Sequence, residues 1–251
     1  MSEITTKTLL DAGVHYGHLT SKWNPKMAPF IFMEQNGIHI IDLNKTLSKL
    51  NDAKAAVKSI TKSGRKVMFV ATKKQAKDIV QNEATRVNMP YVTERWLGGM
   101  LTNFATVRKS IKKMQSIDKM VTDGTSLHLN EKERLMKDRE KTELQRLLGG
   151  IEQLNRLPAA LFIIDVKREH IAVKEAQKLN IPIFAIVDTN SNPNLADHPI
   201  PGNDDASASI ELLARSFADA IAEGLSERKQ AKEAAKKDAD KESATKEVAA
   251  N

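Results

Sequence analysis

The chain has 251 residues, 41% of them hydrophobic, and 39 Lys and Arg against 32 Asp and Glu leave a net charge of +7. This is enough apolar material for a buried core, with a mild bias toward an acidic partner. Cysteine is absent, which removes disulfides, thiolate nucleophiles and Cys-ligated zinc and points to a reducing, cytosolic setting; residues 1–11 do not read as a signal peptide, and no apolar run approaches the roughly 20 residues a bilayer needs.

Thr5 or Thr6 is placed to cap a short helix ending at Gly13, after which the aperiodic segment with His15, Tyr16, His18, Trp23 and Pro25 reads as a structured loop. Asn36-Gly37, between two apolar runs, accepts the positive φ of a tight turn and predicts a β-hairpin over 29–42. Asn44 is the expected cap of a helix with Leu47, Leu50, Val57 and Ile60 on one stripe, ended by Gly64. A strand over 67–71, a helix over 73–87 and a brief strand at 91–92 then imply a parallel pair.

Two more continuous apolar runs, 161–164 and 183–187, flank a helix carrying Ile171, Val173, Ala176 and Leu179, and a helix over 207–223 closes the domain. The expected fold class is α/β, a mostly parallel sheet flanked by helices. Residues 102–157 interrupt this rhythm without a strand pattern. Phe104, Val107, Ile111, Met114 and Val121 step by three and four, Leu144, Leu147, Ile151 and Leu154 answer them, and Asp123-Gly124 marks a turn. That is an inserted, coiled-coil-like antiparallel hairpin, poorly apolar near 137–141.

The expected organisation is therefore an α/β domain in two parts, 1–101 and 158–225, a protruding hairpin at 102–157, and a charged tail at 226–251. The tail is rich in Ala, Lys, Glu and Asp, cannot bury a face, and reads as disordered or fluctuating helix. Charge is segregated: residues 1–150 hold 26 basic and 15 acidic side chains, residues 151–225 hold 6 and 11. Such a body can dock one face on a polyanion.

Asp165 and Asp188 stand at the C-terminal ends of two predicted parallel strands, where α/β enzymes gather ligands. The oxygen-rich loop after Val187, with Asn190, Asn192, Asp197, Asp204 and Asp205, either binds a cation or forms its own turns and caps the next helix. His18 with Asp188 and Asp204, and His15 beside them, would make a nitrogen-and-oxygen site for a divalent metal if the loops meet above the sheet. A nucleotide site lacks support: neither a Walker lysine loop nor GxGxxG occurs, and Gly98-Gly99 and Gly149-Gly150 suit the turns at the hairpin's root. Lys22, Lys26, Arg95, Arg108, Lys109, Lys112 and Lys113 are candidates for RNA phosphates, while Trp23 and Trp96 either stack on bases or pack between layers. Aromatics at 4% favour recognition of folded RNA through backbone and shape over a base-stacking sheet.

Several strings carry a resemblance: AGVHYGH at 12–18, WNPKM at 23–27, NGIHIID at 36–42, RWLGGMLTN at 95–103, IVDTN at 186–190 and IPGNDD at 200–205. Over residues 9–224 the chain closely resembles the bacterial small-subunit ribosomal protein uS2 family. The resemblance implies a parallel-sheet α/β domain with a helical hairpin, on the solvent side of the small subunit between head and body. It implies contact with small-subunit rRNA and neighbouring ribosomal proteins, including the large mRNA-binding protein built of repeated OB-folds, with no enzymatic activity, required cofactor or homo-oligomer. Two other readings stand beside it: a metal- or phosphate-ligand α/β enzyme using Asp165, Asp188 and Asp204, and a purely protein-binding adaptor.

Overall fold

The computed structural model describes residues 4–122 and 130–248, with side chains described for 4–120 and 130–233. Helix α1 (Thr6–Asp11) opens on a reciprocal cap in which the Thr5 hydroxyl accepts from the Thr8 backbone and the Thr8 hydroxyl accepts from that of Thr5. Strands β2 (Ile31–Gln35) and β3 (Ile38–Ile41) form the expected hairpin, with Asn36 at φ 54° and Gly37 at φ 73° in its turn. The segment expected as loop contributes a third strand, β1 (Tyr16–Leu19), giving an antiparallel sheet of order β1-β3-β2. Its four residues are too few, and too mixed, to show alternation. Gly17 lets β1 lie against the main domain, because a Cβ there would come 2.6 Å from Thr189 Cγ2 and 2.9 Å from the His39 carbonyl.

Helix α2 (Leu43–Lys62) is capped by Asp42, whose Oδ1 accepts from the Asn44 N–H at 3.0 Å, so the cap falls two residues before the expected Asn44. Its buried stripe runs through Leu50, Ala53 and Val57. Strand β4 (Val67–Val70) follows, then helix α3 (Lys77–Arg86) and the two-residue strand β5 (Tyr91–Val92). The helix starts four residues later than expected, since a turn precedes it in which Lys73 sends a buried side chain away from the helix.

Strands β6 (Ala160–Ile164), β7 (Ile183–Val187) and β8 (His198–Pro201) complete a five-stranded, wholly parallel sheet of order β5-β4-β6-β7-β8, with α6 (His170–Lys178) joining β6 to β7. Every residue of β4, β6 and β7 is buried, the pattern of a sheet covered on both faces. On one face Phe69, Phe162 and Phe184 surround Phe217, which stacks on Phe162 at 4.2 Å between ring centroids. On the other, Met68, Leu161, Ile163 and Val187 meet Trp96, Met100, Ile111 and Leu148. Strand β8 lies in what read as loop. Pro199 and Pro201 disguised it, and they are tolerated because it is an edge strand.

Helices α4 (Phe104–Thr122) and α5 (Glu131–Leu148) run antiparallel, as Lys141 pairs with Asp118 and Gln115 donates to Glu152. Ile111, Met114 and Ile117 of α4 are buried, whereas Leu135 and Met136 of α5 are exposed, in keeping with the apolar gap in the pattern. Asp123-Gly124 and the Val121 side chain lie outside the described residues. Helix α7 (Ser207–Val248) packs on α2 and does not stop near Glu223. It runs on through the charged segment because no Gly or Pro follows Gly224 before Val248 and the composition is of strong helix formers. Lys58 and Lys62 of α2 meet Glu227 just past the expected end.

Candidate functional site

The chain passes from β4 out to β5 and then back to β6 on β4's other side, so a crevice opens above the C-terminal ends of β4 and β6. Five side chains from separate loops converge there and along the neighbouring strand ends. Lys73 follows β4, Asp165 and Asp188 end β6 and β7, Asp204 follows β8, and His18 reaches in from β1. His18 Nδ1 lies 3.0 Å from Asp188 Oδ2, and its Nε2 lies 3.3 Å from Asp205 Oδ2. Lys73 Nζ binds Asp204 Oδ1 at 2.7 Å and Asp205 Oδ1 at 2.6 Å, with Asp165 at 3.9 Å. Thr189 locks the arrangement: its hydroxyl accepts from the His18 N–H at 2.9 Å and donates to Asp188 Oδ1 at 3.1 Å.

Asp204 is fully buried, and its Oδ2 has no hydrogen-bond partner among the described residues. Burial, with Asp188 and Asp165 nearby, pushes its carboxyl up to about 7 despite the Lys73 ammonium. His18 moves up as well, chiefly through its hydrogen bond to Asp188 and against the effect of burial. Lys73 is also raised, since Asp204 and Asp205 outweigh the burial that opposes its charge. One ligand atom each from His18, Asp188 and Asp204 lies within 4.8 Å of the others, a nitrogen and two carboxylate oxygens of the kind that zinc and similar divalent ions accept. His15 stands outside this group, its ring tilted against Tyr16 and its buried Nδ1 unpartnered among the described residues.

Residues 9–224 match the family described as Ribosomal protein S2. The chain belongs to that family. It is 64% identical to small ribosomal subunit protein uS2 of Cytophaga hutchinsonii over 96% of this chain and 95% of the relative. It is 59% identical to the protein of that name from Flavobacterium psychrophilum over 93% and 88%, and 58% identical to that from Chlorobium chlorochromatii over 88% of each. Three of the six strings that carried the resemblance map onto the site. AGVHYGH supplies His18, IVDTN supplies Asp188 and Thr189, and IPGNDD supplies Asp204 and Asp205.

The phosphate-binding candidates of this S2-family chain separate into two kinds. Lys22, Lys26, Arg95, Lys109 and Lys112 are exposed and carry no ion pair among the described residues. Arg108 is turned inward, donating to the Asn155 carbonyl at 2.8 Å and to its Oδ1 at 3.2 Å, and Lys113 is paired with Glu140 across the hairpin. Trp96 packs between layers, 6% exposed, which decides between its two readings; Trp23 is 39% exposed and leans on His39 with ring centroids 5.1 Å apart. Asp165 is used in its own turn, where its Oδ1 accepts from the N–H groups of Lys167 and Arg168. Sequence reasoning passed over Lys73, Thr189 and Glu175. All three depend on contacts distant in sequence.

Proposed function

We propose that the chain is a cytoplasmic structural constituent of the small ribosomal subunit, docking preformed surfaces on small-subunit rRNA and on neighbouring ribosomal proteins, with no turnover of its own. The observation that carries this reading is the family match over residues 9–224, joined to exposed cations that no carboxylate neutralises among the described residues. In the crevice, Asp188 and Asp204 are engaged by His18 and Lys73, and Asp165 braces a turn, which gives all three carboxylates a role in holding the fold.

The three-stranded sheet and its flank expose Tyr16, Leu19, Trp23, Phe32 and Met33, an aromatic and apolar surface suited to a protein neighbour such as the large OB-fold mRNA-binding protein. A divalent ion on His18, Asp188 and Asp204, taking up the unpartnered Asp204 oxygen, would tie β1 of that sheet to the parallel domain. The test is reconstitution: subunits stripped of their own protein of this family regain mRNA-dependent translation when the chain is added. Full occupancy without restored translation, or no uptake at all, rejects the reading.

A further inference from the structure

The crevice continues past Lys73 toward β5 as an open cleft of 290 Å³, whose lining includes Thr72, Arg95, Trp96, Arg168, Glu169 and Ile171. It is built by loops that follow three neighbouring parallel strands, β4, β5 and β6, so residues far apart in sequence share one sheet edge. Of its four charged lining residues, Glu94 is taken by Lys77 at 2.8 Å, and Glu169 is buried with its Oε1 accepting from the Thr72 N–H at 3.0 Å and the Thr72 hydroxyl at 2.5 Å. The other two, Arg95 and Arg168, are exposed. Among the described residues Arg95 has no partner, and Arg168 uses only its Nε, donating to Thr72 Oγ1 at 3.0 Å. Lys74 and Lys167, exposed and unpaired among the described residues, stand in the same loops.

Arg168 is held by more than chance contact. Asp165 takes a left-handed conformation at φ 65°, unusual for a residue with a Cβ, and its Oδ1 accepts from both the Lys167 and Arg168 N–H groups. The Glu169 N–H then donates to the Asp165 carbonyl at 3.0 Å, which closes the turn. The relay from Glu169 through Thr72 holds the guanidinium by its Nε and leaves its two terminal nitrogens without a partner among the described residues. A guanidinium preorganised in this way binds a phosphate oxygen pair with less ordering of its own.

We infer that Arg95 and Arg168 form a phosphate clamp for the backbone of an RNA segment laid across the C-terminal edge of the parallel sheet, with Thr72 and Glu169 as positioning residues. The inference rests on the proposed RNA-binding role and gives it a surface separate from the hairpin. The cleft is open, its free charge is positive, and its exposed Ile171 offers an apolar contact for a ribose. Sequence inspection placed Arg95 among scattered cations. It had no reason to join it to Arg168, since 73 positions separate them.

The test uses the full chain and small-subunit rRNA transcribed in vitro, with the dissociation constant followed over a salt series. The variant Arg95→Gln/Arg168→Gln should bind roughly tenfold or more weakly near 0.1 M salt, and its log–log salt slope should fall by about 1.5, the counterions of two phosphates. Thr72→Val should weaken binding when Arg168 is present and have no effect in the Arg168→Gln background, an outcome that general damage to the fold would not give. If the wild type binds and the double variant matches it in both constant and slope, the clamp is wrong while the RNA-binding role stands. If the variant loses affinity only for stripped subunits and not for rRNA, the cleft serves a protein and the inference is again overturned. If the wild type binds no rRNA, the underlying role fails and the clamp with it.

Discussion

The indole N–H of Trp96 donates to Oε1 of Glu175 across 3.1 Å. The same carboxylate accepts from the backbone N–H groups of Gly99, Leu101 and Thr102 and from the Thr102 hydroxyl, at 2.7–3.0 Å. A single acid on α6 thus fixes the segment that leads into α4, which sets where the hairpin leaves the sheet.

Glu175→Ala would leave several buried donors unpaired, an expected loss of about 3 kcal/mol with altered Trp96 fluorescence. Burial works against the Glu175 anion, but the donors outweigh it and hold its carboxyl below the ordinary range. A depressed carboxylate contributes stability above its unfolded value that is lost as pH falls through its folded one. Thermal melts of the wild type should therefore fall on acidification more steeply than those of Glu175→Gln. Parallel curves would contradict this.

Asp204 has the opposite sign. With its carboxyl raised to about 7, it favours the fold at low pH, and that contribution is lost as pH rises from its unfolded value of 3.8 through about 7. In metal-free buffer, the stability of the wild type relative to Asp204→Asn should decline over that window and level off above it. Lys73→Met, which strips the buried acid of its counter-ion, should cost about 3–5 kcal/mol near neutral pH, with much of that recovered in Lys73→Met/Asp204→Asn. Denaturant titration at three pH values measures both.

A divalent ion that binds only the folded chain should stabilise it by about 2.7 kcal/mol at a hundredfold excess over its dissociation constant. Zinc added to the metal-free chain should raise its melting temperature, and Asp188→Asn should remove most of that shift. A shift that survives in Asp188→Asn would put the ion elsewhere, and no shift in the wild type would remove it.

On the hairpin, Lys109→Glu/Lys112→Glu should weaken uptake into stripped subunits and flatten its salt dependence, because both side chains are free among the described residues. Lys113→Glu mainly breaks the pair with Glu140, so its effect on uptake should be the smaller of the two. Equal losses would show that pairing in the free chain does not predict contact with RNA.

The parallel sheet was legible because β4, β6 and β7 are unbroken apolar runs, buried on both faces, and the β2–β3 hairpin because Asn36-Gly37 announces its turn. Strands β1 and β8 were hidden: each has four residues, one containing a glycine and the other two prolines, and both are held by neighbours more than ten positions away. His18, Asp188 and Asp204 could be grouped from the strand-end rule and the loop chemistry. Lys73 could not be weighed, since its charge is buried only after Asp204 and Asp205 return to it from 131 and 132 positions downstream. The contacts that engage Arg108 with Asn155 and Lys113 with Glu140 are likewise a property of the assembled hairpin.

The central claim is association with the small subunit through RNA, and sedimentation of a lysate from cells producing the chain tests it most directly. The chain should travel with the small-subunit peak at moderate salt and leave it after ribonuclease treatment. A chain that stays at the top of the gradient, or that keeps its large assembly once the RNA is digested, contradicts the account.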